Sequence, residues 1–132
     1  MRTAVLAVSF GTTHLDALRA DIVPVEEALA DAFPGCPVYR AFTSGVVRRR
    51  LRERQNMHVD SVEEALARIR SDGMGRVVVQ PTLLIPGEEY DGLCAALTAA
   101  DGLEVRAGRP LLYGEDDLDG VIAALRQAYP VG

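Results

Sequence analysis

The chain has 132 residues, of which 48% are hydrophobic and 25% charged, and its 19 acidic and 14 basic side chains give a net charge of −5. That length suits one domain, spanning residues 1–132, able to bury a core without staples, and the near-average balance argues against disorder. The negative charge argues against nonspecific nucleic-acid binding, which needs a basic surface, and no apolar run reaches the length of a membrane span.

Thr3 to Ser9 (TAVLAVS) is an apolar run rich in β-branched residues and predicts a buried strand. Phe10 to Thr13 predicts a turn. Leu15 to Phe33 has helical spacing, with Leu18, Ile22, Val25, Leu29 and Ala32 on one face. Pro24 falls inside that pattern and is expected to kink or divide the helix, and Pro34-Gly35 ends it. Pro37 to Thr43 (PVYRAFT) predicts the second strand. Ser44 can cap a short helix over residues 45–54, with Val47 and Leu51 on one side and arginines on the other. Ser61 followed by Glu64 matches a capping box for a helix whose apolar face is Val62, Leu66 and Ile69. Arg76 to Thr82 predicts the third strand, and Leu83 to Gly87 a loop. A helix over residues 88–100 opens on carboxylates, as the helix dipole favours. Leu103 to Ala107 predicts a fourth strand, and residues 115–129 a last helix burying Leu118, Val121, Ile122 and Leu125. Strands alternating with helices over short connections give a parallel sheet covered on both faces.

The first strand starts almost at Met1, which leaves no room for a signal peptide. Cys36 and Cys94 sit in no CxxC motif and read as reduced, buried residues. A cytoplasmic protein is the expectation.

In an open parallel sheet, ligands bind beyond the carboxyl ends of the strands. Three loops qualify: Phe10 to His14, Thr43 to Gly45, and Leu83 to Tyr90. The first, SFGTTH, offers backbone amides ahead of a helix, an arrangement able to hold an anion, but it matches neither GxxxxGK[ST] nor GxGxxG. An ordinary strand-to-helix turn explains it equally well, and His14 reads as a cap or surface residue. In the third, Pro81 and Pro86 stiffen the chain and Gly87 permits a bend, so that Glu88, Glu89 and Tyr90 stand at a helix start. Carboxylates there can bind a hydrated divalent metal or accept protons; they are also what any helix start favours. All the basic residues are arginine. The run Arg48, Arg49, Arg50, Arg52, Arg54 reads as a solvated face, with polycarboxylate binding as the alternative. His58 lies in a polar loop between helices, and no Cys/His cluster has zinc spacing.

AVLAVSFGTTHLDALR, VYRAFTSGVVRRRLRER and VVVQPTLLIPGEEYDGL, in this order, resemble the amino-terminal half of the anaerobic sirohydrochlorin cobalt chelatases, class II tetrapyrrole chelatases. The resemblance is strong over residues 3–93. It implies an α/β three-layer sandwich around a four-stranded parallel sheet in the flavodoxin-like order 2-1-3-4, one of two similar lobes flanking a cleft. It also implies insertion of cobalt (Co2+) as substrate metal into a carboxylate-rich tetrapyrrole without ATP or an organic cofactor. On that resemblance Glu88 and Glu89 are the catalytic carboxylates, Glu89 also a metal ligand. Ser9, Phe10, Gly11, Thr12, Thr43, Ser44 and Tyr90 line the tetrapyrrole side.

The sequence departs from the family in its histidines. A GHG-type motif is absent, Phe10 stands where short relatives resemble GHGS, and Leu83 stands where the family often resembles QPLHIIPGEEY. These departures favour a chain that works with a second lobe, or a non-catalytic tetrapyrrole- or metal-binding module, over a half-size homodimeric chelatase.

Overall fold

The computed structural model describes residues 2–84, 87–112 and 118–129, with the side chains of Leu83 and Leu112 outside that description. The elements run β1 (Thr3–Ser9), α1 (Leu15–Ala17), a π-helical turn (Leu18–Ile22), α2 (Val23–Ala32), β2 (Val38–Phe42), α3 (Gly45–Gln55), α4 (Val62–Ser71), β3 (Arg76–Leu84), α5 (Glu88–Thr98), β4 (Glu104–Ala107), β5 (Leu111–Leu112) and α6 (Leu118–Ala128).

The strands form an all-parallel sheet in the order β2-β1-β3-β4, as expected, and the two-residue β5 adds to the end of β3. β1 is central: Val5 to Ser9 pair with Val38 to Phe42, and Thr3 to Val8 pair with Arg76 to Pro81. Alternation along β1 and β3 divides the core. Ala4, Leu6, Val8, Val77 and Val79 point to the face covered by α4 and α5, where Val62, Ala65, Leu66, Ile69 and Leu93 are buried. Val5, Ala7 and Val78 point to the other face, against Val25, Leu29 and Phe33 of the α2 region and Ile122 and Leu125 of α6. A strand buried on both faces reads as a continuous apolar run, which is why TAVLAVS and RVVV were legible. A third cluster, Leu18, Ile22, Phe42, Leu51 and Val59, seals the end of the sheet under α3.

The proline-bearing helix is divided, as expected, by a π-helical turn that ends just before α2, with Pro24 in the first turn of α2. Two features differ from the sequence expectation. β3 runs on to Leu84, beyond the predicted end at Thr82. Cys94 is exposed and Cys36 half-buried, both free; Cys94 lies on the outward side of α5, whose inward residue is Leu93. The bend expected over Ile85 and Pro86, and the start of the last helix at residues 115–117, lie outside the described residues. No helix of the described residues is long and apolar enough to cross a membrane.

Candidate functional site

The loops after β1 and β2 are joined by backbone bonds. The Thr43 N–H donates to the Ser9 carbonyl at 2.8 Å, and the Ser44 N–H to the Phe10 carbonyl at 3.2 Å. Gln55, at the end of α3, donates through Nε2 to the Thr13 carbonyl at 2.8 Å. Gly11 has φ 106°, and a Cβ there would lie 2.6 Å from the Phe42 ring, so the crossing of these loops admits only glycine. Thr12 Oγ1 accepts from the His14 N–H at 3.1 Å, and the exposed His14 makes no side-chain cap.

Ser9 and Ser44 are both buried. The Ser44 hydroxyl accepts from the Val47 N–H at 3.1 Å and so caps α3 as the sequence predicts. The Thr43 hydroxyl is different: its Oγ1 is buried and has no hydrogen-bond partner among the described residues.

Gly87 sets the start of α5 with φ 102° and ψ −127°, a backbone conformation that L side chains rarely adopt, and its carbonyl accepts from the Asp91 N–H at 2.9 Å. Glu88 and Glu89 thereby stand in the first turn, Glu88 exposed and Glu89 half-buried. Among the described residues neither carboxylate has a hydrogen bond or ion pair. Tyr90 packs against the α4–α5 core instead, and its hydroxyl pKa is raised chiefly by a hydrogen bond with Cys94, then by burial.

A cavity of about 330 Å³ collects part of the predicted set. Thr43, Arg48, Ser61, Glu63, Glu88 and Glu89 line it, over a floor of Phe42, Val62 and Leu93. Of the predicted residues, the structure thus brings together Thr43, Glu88 and Glu89. Ser9 to Thr12 and Ser44 stand behind that wall and join it through Thr43, and Tyr90 faces the core. A larger hollow of about 480 Å³ lies between α4 and α5, walled in large part by alanines such as Ala95, Ala96 and Ala99, and adjoins the cavity through Glu63, Gly92 and Ala96.

Two groups were named in the sequence reading without being singled out. Arg48 is the first. Its side chain is 22% exposed, its Nη1 lies 4.0 Å from Glu64 Oε1, and its Nε is buried without a partner among the described residues. Arg49, Arg50, Arg52 and Arg54 are exposed, as expected for a solvated face. The second group is His58, Asp60 and Glu64, whose ligand-type atoms all lie within 4.8 Å of one another. Its members already satisfy each other. Arg68 donates to both Asp60 oxygens, at 2.8 and 3.1 Å, and His58 Nε2 donates to Oδ1 at 2.7 Å. The Arg68 bonds above all hold the buried Asp60 carboxyl below its ordinary range. Glu64 Oε1 accepts from the Ser61 N–H at 2.9 Å, closing the predicted capping box, and this bond lowers its pKa. A bidentate arginine beside Asp60 makes this a poor place for a cation.

Comparison with known proteins points the same way as the sequence motifs. A family model described as "Cobalt chelatase (CbiK)" matches residues 3–131. The chain is 36% identical over 132 residues to the sirohydrochlorin cobaltochelatase of Salmonella typhimurium, covering 98% of this chain and 50% of that protein. It is 34% identical over 135 residues to the sirohydrochlorin cobaltochelatase CbiKC of Nitratidesulfovibrio vulgaris, covering 99% and 47%. The chain spans about half the length of the curated relatives it matches. With residues 3–131 inside the family match, this chain belongs to the cobalt chelatase (CbiK) family.

Proposed function

We propose that the chain forms one lobe, residues 1–132, of a sirohydrochlorin cobaltochelatase that inserts Co2+ into a sirohydrochlorin-type tetrapyrrole. The observation that carries this reading is the placement of Glu88 and Glu89, free of partners, beside Thr43 at the carboxyl end of a parallel sheet. Insertion exchanges two pyrrole protons for one divalent cation, so the site must accept protons and tolerate positive charge. Glu89, half-buried, accepts a pyrrole proton and faces the incoming metal; Glu88, exposed, passes protons to water. The 9–12 segment, Thr43, Ser44 and Tyr90 form the tetrapyrrole side, Ser44 mainly by holding α3 in place. No organic cofactor takes part in this reading, and the setting is the cytoplasm.

A cavity of about 330 Å³ is at the small end for a ligand site and far too small to enclose a macrocycle. The tetrapyrrole therefore lies across its mouth, and the opposite wall comes from a second lobe or a second copy. No histidine lines the cavity, and Co2+ is well served by imidazole. The remaining ligands come from that opposite wall. The same lack of histidine favours a second reading, a tetrapyrrole- or metal-binding module without turnover.

Cobalt insertion into sirohydrochlorin, followed by the change in its absorbance, separates the two. Insertion above the spontaneous rate, reduced about 100-fold in Glu89→Ala, is the result expected of a proton acceptor at this position. Binding of the macrocycle with no insertion supports the module or a lobe that lacks its opposite wall, and adding the second lobe separates these two. Neither binding nor insertion, in a folded chain, overturns both.

A further inference from the structure

We infer that Arg48 and Thr43 form a carboxylate-binding subsite in the inner wall of this cavity. Desolvated polar groups without partners are rare in folded proteins, because each forfeits about 1–3 kcal/mol when its hydrogen bond is left unmade. Of the four such atoms among the described residues, two belong to residues that line one cavity: the Arg48 Nε–H, a donor, and the Thr43 hydroxyl, which can donate, while Gln80 and Thr82 lie outside it. Both stand at the carboxyl end of β2, Thr43 one residue past the strand and Arg48 in the first turn of α3. A guanidinium donor and a hydroxyl donor presented together match the two oxygens of a carboxylate.

The surrounding charges set the selectivity. The nearest fixed carboxylate to Arg48 is that of Glu64, at 4.0 Å, the outer limit of an ion pair, so the guanidinium is only partly neutralised. Glu63 and Glu88 are exposed at the rim and Glu89 is half-buried. This acidic rim weakens the hold on a small free anion without abolishing it. It is compatible with a carboxylate on a larger ligand that also brings N–H donors or a cation to the glutamates. If the chelatase reading above holds, the carboxylate is a side arm of the tetrapyrrole; the subsite itself, as a place for a carboxylate, does not depend on that reading. Of the five clustered arginines only this one is turned inward; the other four serve as internal controls.

Two measurements on the whole chain test it. In the first, arginine Nε–H resonances are followed by NMR while acetate replaces chloride at constant ionic strength, and again on adding sirohydrochlorin. The Arg48 resonance is identified by its loss in Arg48→Lys. In the second, sirohydrochlorin affinity is measured by absorbance for the wild type, Arg48→Gln, Arg48→Lys and Arg52→Gln.

The expected result is a saturable shift of Arg48 alone and affinity weakened about tenfold or more by Arg48→Gln. Arg48→Lys should recover part of that loss, and Arg52→Gln should bind as the wild type does. A shift with acetate but no binding of the macrocycle supports a subsite for free carboxylates and removes the chelatase reading. A shift with sirohydrochlorin alone supports the side-arm assignment. An Arg48 resonance unmoved by either ligand overturns the inference, even if the macrocycle binds and is metallated. A normally dispersed spectrum of Arg48→Gln shows that any lost affinity is not lost folding.

Discussion

Two polar clusters lie on either side of the start of α4, and they are opposites. In the His58–Asp60–Glu64–Arg68 cluster every carboxylate is engaged by a neighbour within hydrogen-bonding distance. In the cavity beside it, the Thr43 hydroxyl and the Arg48 Nε–H are buried with no partner, and Glu88 and Glu89 are free among the described residues. The first cluster has the composition of a metal site and the bonding of a structural joint. The second has no metal-binding signature in its spacing, yet its lining includes two of the four residues whose buried polar atoms have no partner among the described residues. Unsatisfied groups, more than suggestive residue types, mark where a ligand completes the structure.

The comparison predicts that the two clusters answer differently to mutation. The largest effect expected at the joint is that of Asp60→Ala. It removes three charge-assisted bonds at once, but Arg68 and His58 are about half-exposed and return to water, so the loss is about 1–3 kcal/mol and not that of a fully buried pair. Denaturant unfolding should show that loss, while sirohydrochlorin affinity stays within a factor of about two, since Asp60 does not line the cavity. A large loss of affinity with unchanged stability would reverse the roles assigned to the two clusters.

A second, smaller effect sharpens the same contrast. Asp60 is held below its ordinary value of 3.8 and Glu64 below 4.5. A carboxylate whose pKa is lower in the folded than in the unfolded chain stabilises the fold above its unfolded pKa. That stabilisation disappears as pH falls from the ordinary carboxylate range through the depressed folded values. Acid unfolding of the wild type should therefore steepen below about pH 4. Asp60→Ala should flatten that part of the curve.

How much of this could be read from the sequence depends on the range of the interaction involved. The buried strands were legible because a strand covered on both faces must be apolar, as TAVLAVS and RVVV largely are, whereas their order came with the family resemblance. The caps were legible because Ser44 to Val47 and Ser61 to Glu64 act over three residues. β5 was not, since two leucines paired with the end of β3 carry no periodicity. The sequence reading placed Glu88, Glu89 and Thr43 in the site and listed Arg48 only as one of five. Helical phase does favour it, one residue after the inward Val47 and one turn before the buried Leu51, but its missing partner is a fact of three dimensions. The reading set His58 in a polar loop, and only folding brings it to Asp60 and Arg68.

Ser61 belongs to both clusters and gives the smallest and most discriminating effect. Its hydroxyl accepts from the Glu64 N–H at 3.1 Å, its own N–H donates to Glu64 Oε1, and it lines the cavity. Ser61→Ala removes the hydroxyl and keeps the N–H, so stability should fall by about 1 kcal/mol, the usual loss for an N-cap. The backbone bond is the larger cause of Glu64's low pKa, so that carboxylate should stay charged into the acid range, as carboxyl 13C shifts would report. Glu64 would then keep its place 4.0 Å from Arg48, and the response of the Arg48 Nε–H to acetate should survive. If the response disappears along with the cap, the open cavity depends on the closed joint, and the two clusters form one unit in which the satisfied half holds the unsatisfied half in position.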